Sequence, residues 1–130
     1  MLDTDVIVES EKGKFDLSNW LASLPDENFE IAAITAAELR HGVERASAIH
    51  RASRELYVNT ILDTFPIIPY TERTAHEHAR IWAELEANGK MIGYYDLIVG
   101  ATALERGSRL ATFNKKHFRQ IKELSLIEPR

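Results

Sequence analysis

Four acids, an asparagine and three threonines are the residues through which this 130-residue chain could do chemistry. Asp3 and Asp5 flank Thr4 near the start. Thr35 and Glu38 fall in ITAAE, Asp96 opens the run DLIVGATAL, and Thr112 and Asn114 close RLATFN. Carboxylates brought to one place repel one another, and a divalent cation resolves the conflict. Carboxylate and amide oxygens with no Cys or His in the set suit Mg²⁺ or Mn²⁺ and not zinc. An Mg²⁺ held by few carboxylates keeps positions open for water and phosphate oxygens, which is the requirement for metal-assisted phosphodiester hydrolysis.

Other chemistries find little support. The chain has no Cys, so it has neither a disulfide framework nor a thiolate site. His76 and His78 are two apart on an expected helix and do not share a face. His41, His50 and His117 are isolated. No serine-centred nucleophile motif, glycine-rich phosphate loop or zinc spacing occurs. Trp20 and Trp82 are expected on buried helix faces.

The acids need elements to hold them. DLIVGATAL is rich in small residues that make poor strands and is followed by Glu105-Arg106-Gly107, a helix C-terminal signal, so the stretch Ile92–Arg109 is organised around a buried central helix with Asp96 in its first turn. Val6-Ile7-Val8 is a strand by propensity. Asp16 caps a helix carrying Leu17, Trp20, Leu21 and Leu24, closed by Pro25. FEIAAI (29–34) reads as a strand. Thr35 and Glu38 match a capping box, which starts the next helix at Thr35 with Leu39 and Val43 inward. Ala48–Asp63 continues helically, and FPII (65–68) is a strand with Pro66 at its start. Tyr70–Ala87 is amphipathic, capped by Thr71 or Thr74 (a second capping-box match with Glu77), with Ala75, Ala79, Trp82 and Leu85 inward. RLATF (109–113) and Leu124–Ile127 are strands, with a turn or short helix over Asn114–Phe118.

Strands alternating with helices imply an α/β domain with a parallel sheet covered on both faces, and 130 residues suit one domain. Sites in such sheets form at the carboxyl ends of strands, where the candidate residues fall. Each also has a purely structural role open to it. Asp96 can cap its helix, Glu38 can complete the box with Thr35, Asn114 can sit in a left-handed turn, and Asp3 can be a terminal surface acid.

Net charge is −4, which does not advertise a nucleic-acid binder. The distribution says more: residues 105–130 carry seven Lys/Arg against three acids, while the rest carry nine against seventeen. A basic C-terminal segment on an acidic body can meet a polyanion locally. No apolar run is long enough to span a membrane, and the start lacks a signal peptide's basic and apolar regions, so a cytoplasmic protein is expected.

Four motifs, in order, resemble those of the PIN-domain family, and within it the VapC-type toxins of toxin–antitoxin pairs. They are LDTD (2–5), ITAAELRHG (34–42), IGYYDLIVGATAL (92–104) and ATFNKKHF (111–118). The resemblance covers essentially the whole chain. It implies a three-layer α/β/α fold with a mainly parallel central sheet, and an Mg²⁺- or Mn²⁺-dependent endoribonuclease. Asp3, Glu38 and Asp96 would be metal ligands, and Asn114, where many relatives have Asp, would complete the site directly or through water. Thr4 and Thr112 would orient the carboxylates, with Asp5 supporting them or serving as a further ligand. It further implies an RNA substrate such as tRNA or another structured RNA, a cognate antitoxin and a homodimer. Lys115, Lys116 and Arg119, directly after Asn114, are candidates for RNA phosphates. The family makes the segment after Asp3 helical, against the propensity of Val6–Val8, and a helix is expected there because the chain must turn back over the sheet after Asp3. Only Met1 and Leu2 precede Asp3, where relatives commonly have a longer first strand. Either the true start lies upstream, or this strand is short and holds its ligand loosely.

Two other readings remain. Asp3-Thr4-Asp5-Val6 resembles the D-x-D-x-[TV] nucleophile motif of haloacid-dehalogenase-type phosphohydrolases, although the chain is short for that family and has no Asp-Asp pair. A PIN-like module that binds RNA or an antitoxin without cutting is the second.

Overall fold

Met1, Leu2 and Asp3 form a very short strand, yet it runs through the middle of the sheet. In the computed structural model, which describes residues 1–130, Leu2 N–H donates to Glu30 O at 2.9 Å and Asp3 N–H donates to Ala111 O at 2.9 Å. Ala111 N–H returns a bond to Met1 O at 2.8 Å. The segment thereby joins two parallel pairs. On one side β1 (Ile31–Ala32) pairs with β2 (Ile67–Ile68), and on the other β3 (Leu110–Ala111) pairs with β4 (Leu126–Ile127). Leu2 stands opposite Ala111, also parallel. The order across the sheet is β2, β1, the Met1–Asp3 segment, β3, β4.

Strand alternation sorts the core into two layers. Met1, Ala32 and Leu110 point to one face and pack with helices α5 (Glu72–Ala87) and α6 (Tyr94–Arg106) and with Phe118, Ile121 and Leu124. Leu2, Ile31 and Ala111 point to the other, under α1 (Thr4–Glu11), α2 (Leu17–Ala22), α3 (Ala33–Glu44) and α4 (Ala48–Thr64). The α/β/α architecture expected from the pattern is the one observed. Helix α6 lies in the interior, with Leu97, Val99, Gly100, Ala101, Thr102 and Ala103 all buried. It ends at Gly107 in the left-handed conformation, φ 70°. A Cβ at Gly100 would stand 2.6 Å from Ile121 Cδ1, so the glycine lets the C-terminal segment pack against α6. A short helix, α7 (Lys115–Phe118), follows β3. No helix is long and apolar enough to cross a membrane.

Val6–Val8 is helical, within α1, as the family resemblance implies and against strand propensity. The chain must turn back over the sheet after Asp3, and Val6 and Ile7 bury themselves in the lower layer as helical neighbours, so packing overrides strand propensity. Several other local expectations are corrected. Helix α3 begins at Ala33, capped by Ala32 without a side-chain bond. The Thr35–Glu38 capping box does not form, because both side chains face the Thr4 hydroxyl instead. The box of α5 is between Thr71 and Thr74, not Thr74 and Glu77. Its buried stripe is Thr74, Ile81 and Leu85, which leaves Ala79 and Trp82 outside. Trp82 is 45% exposed, whereas Trp20 is buried as expected. Asp16 caps α2 as expected, accepting from Asn19 N–H at 3.0 Å.

Candidate active site

The carboxyl end of the Met1–Asp3 segment sets the centre of the site. Asp3 is 4% exposed, and its side chain is held twice. Thr4 N–H donates to Oδ1 at 2.9 Å, making Asp3 the N-cap of α1, and the Thr112 hydroxyl donates to Oδ2 at 2.8 Å. Thr112 follows β3 on the neighbouring strand, so sheet pairing alone brings it to Asp3. The same hydroxyl receives Asn114 N–H at 2.9 Å. From the other side, Thr4 Oγ1 donates to Glu38 Oε1 at 2.7 Å and lies 3.1 Å from Thr35 Oγ1. The ends of three elements are therefore tied through two threonine hydroxyls.

Asp5 extends the cluster. Its Oδ2 accepts from Phe113 N–H at 3.1 Å and lies 3.4 Å from the Thr112 hydroxyl, while Oδ1 is buried with no partner. Asp96 is not the cap of α6. Gly93 is, and Asp96 stands in the first turn, where the helix N-terminus favours its charge. Asn114 is not in a left-handed turn either, having φ −98°. Its side-chain N–H lies 3.0 Å from His117 Nδ1, leaving the amide oxygen as the atom available to a cation. His117, unused in the sequence reading, sits three residues after Asn114 on the same short helix. That spacing was the only signal for it.

All four carboxyls titrate high. Burial comes first at Asp3, the negative charges of Asp5 and Asp96 add to it, and the Thr112 hydrogen bond opposes; the carboxyl is pushed up to about 8. Asp5 is raised by burial, against its bond from Phe113 N–H. Glu38 is raised by burial and by the charge of Asp96, eased by the Thr4 hydroxyl. Asp96 is raised by burial and eased by His117. These are carboxylates short of a counter-charge, and no Lys or Arg supplies one within the cluster. The donor set is carboxylate and amide oxygen, and Asp5 offers an unsatisfied buried oxygen, so the residues fit a hard divalent cation. As the side chains stand, no three of them close on a single point tightly enough to form a finished cage.

The basic residues after Asn114 separate. Lys115 is engaged by Glu128 at 3.5 Å, whereas Lys116 and Arg119 are exposed.

The PIN-domain profile matches residues 1–124. The chain belongs to the PIN-domain family. It is 30% identical over 137 residues to the VapC ribonuclease Y4jK of Sinorhizobium fredii, across 99% of this chain and 96% of that protein. It is 28% identical to the tRNA(fMet)-specific endonuclease VapC of Salmonella typhimurium, across 93% and 90%. Its fold superposes on a chain of VapBC2 from Rickettsia felis, solved bound to a promoter DNA fragment, with a TM-score of 0.90 and 25% identity, covering 100% of this chain and 98% of that one. This PIN domain is of the VapC type. Membership sets aside the haloacid-dehalogenase reading of Asp3-Thr4-Asp5-Val6, and the geometry agrees, since Asp5 is fixed against Phe113 N–H and Thr112.

Proposed function

We propose that this PIN domain, acting as one domain over residues 1–130, is the toxin of a type II toxin–antitoxin pair: an Mg²⁺- or Mn²⁺-dependent endoribonuclease held in check by a cognate antitoxin. The observation that carries the reading is the pair of threonine clamps, Thr4 on Glu38 and Thr112 on Asp3. They fix two acids from distant parts of the chain at the carboxyl ends of neighbouring strands, where Asp96 and Asn114 also lie.

Asp3, Glu38 and Asp96 hold the ion, with the Asn114 amide oxygen as a neutral fourth group. A bound Mg²⁺ or Mn²⁺ supplies an activated water and offsets the negative charge that builds on the phosphate. Thr4 and Thr112 keep the carboxylate lone pairs aimed by hydrogen bonds, the role that outer partners play at metal sites. Asp5 holds the turn after β3 in place through Phe113 N–H and leaves one oxygen for the ion or its water. Lys116 and Arg119 follow Asn114 in the chain, are exposed, and neutralise phosphates of the bound strand. The substrate is a structured RNA such as tRNA, the class that the Salmonella relative's name records, and the working form is a cytoplasmic homodimer.

The deciding experiment is cleavage of bulk tRNA with Mn²⁺ or Mg²⁺ by wild type and Asp96→Asn. Wild type cuts only with metal, and the variant loses activity by about a hundredfold or more, as expected when a charged group at a reacting phosphate is neutralised. Equal cleavage by the two proteins, or cleavage in EDTA, overturns the mechanism.

A further inference from the structure

A groove of about 460 Å³ opens beside Asp96, where the end of α5 meets the start of α6. Trp82, Met91, Tyr94 and Leu97 line it, together with Lys90, His117 and one acid, Glu86. None of the acids of the site lines it, but two of its wall residues adjoin them. Gly93, part of the same wall, is close enough to Asp96 that a Cβ there would stand 3.8 Å from Oδ2, and His117 joins the groove to Asn114. A strand threading past the acids therefore meets this groove as its next surface.

The lining is unusual for exposed protein. Met91 is 87% exposed, Tyr94 78% and Trp82 45%. The indole of Trp82 is also oriented. The His78 ring stacks on it at 5.6 Å and 18°, and His78 Nδ1 in turn lies 2.7 Å from Tyr70 Oη. A preset aromatic plane beside a phosphodiester-cutting centre, with a lysine in the same groove, matches how proteins bind single strands: bases stack on rings and cations meet the backbone.

We propose that this groove receives an unstacked RNA base next to the phosphodiester that is cut, with Tyr94 and Trp82 as its stacking surfaces. The inference rests on the ribonuclease reading above.

Two measurements test it. In steady-state cleavage of bulk tRNA with Mn²⁺, Tyr94→Leu and Trp82→Ala each raise KM about tenfold with kcat within about threefold, the scale of losing one stacked base, while Tyr94→Phe stays near wild type. In the Asp96→Asn background, hexaadenylate quenches tryptophan emission, and Trp82→Phe abolishes the quenching because buried Trp20 is out of reach. Unchanged KM in both cleavage variants, from a wild type that cuts, overturns the proposal and leaves the ribonuclease reading intact. So does a loss of self-association or of antitoxin binding with KM unchanged, which makes the groove a protein interface. Absence of quenching overturns the groove assignment whatever the cleavage result. A wild type that cuts no RNA while Trp82 is still quenched overturns the ribonuclease reading alone.

Discussion

The hydroxyl of Thr4 donates to Glu38 Oε1 at 2.7 Å, joining the first turn of α1 to the second turn of α3 across 34 residues of sequence. That bond sets where the Glu38 carboxylate points and eases the burial that raises its pKa. Thr4→Val keeps the shape and removes the donor. We expect the fold to survive, with Mn²⁺ affinity and cleavage falling about 10- to 100-fold, as for outer partners at other metal sites. Thr4→Ser retains the hydroxyl and most of the activity. Calorimetric Mn²⁺ titration of the three proteins checks this, and wild-type affinity in Thr4→Val would show that the clamp is dispensable.

Asn114 is the one neutral member of the set, and its side chain is already engaged with His117 at 3.0 Å. Asn114→Asp adds a negative charge where Asp3, Asp5 and Asp96 already crowd one another. Without metal the variant is expected to be less stable than wild type. With Mn²⁺ it should bind tighter and take up a second ion, since hard cations are held in proportion to ligand charge. Counting bound Mn²⁺ by electron paramagnetic resonance decides it; identical stoichiometry and affinity in the two proteins refutes the charge argument.

The raised carboxyl of Asp3 makes stability depend on pH. A group that titrates at about 8 in the folded protein and near 3.9 in an unfolded chain binds more protons when folded throughout that window. Its contribution is full below about pH 4 and is lost as pH rises toward 8. In EDTA, wild type should melt about 10 °C lower at pH 8 than at pH 5, relative to Asp3→Asn measured alongside to cancel other groups. Mn²⁺ supplies the missing charge and should recover the loss at pH 8 more than at pH 5. A wild-type minus Asp3→Asn difference that does not change with pH contradicts this account.

The order of strands and helices and the positions of the acids were readable from the chain because each depends on local pattern. Short apolar runs mark the strands, with Asp3, Glu38 and Asn114 just after them and Asp96 at the start of the buried helix. What stayed hidden depends on contacts between distant residues. Thr35 and Glu38 look like a capping box until Thr4 arrives to engage both. Val6–Val8 looks like a strand until the sheet needs a covering helix. The buried stripe of α5 lies one notch round from the one its apolar residues suggest, because Trp82 stacks on His78 at the surface. His117 lies in the fourth motif but looks isolated from the other histidines, and only the short helix after β3 places it on Asn114.

The basic residues behind Asn114 are not equivalent. Lys115 is held by Glu128 at 3.5 Å and spends its charge within the protein, whereas Lys116 and Arg119 stand exposed. Each lysine or arginine that neutralises an RNA phosphate releases counterions, so its removal lowers the salt dependence of binding. Lys116→Ala and Arg119→Ala are each expected to weaken RNA binding and to reduce the slope of log K against log salt by about 0.7 to 1. Lys115→Ala should change the slope less, and its main effect should be to free Glu128. Filter binding of bulk tRNA to Asp96→Asn protein across a salt series measures all three. Equal slopes for the three variants would remove the distinction, and slopes matching the parent protein would place the phosphate contacts elsewhere on the surface.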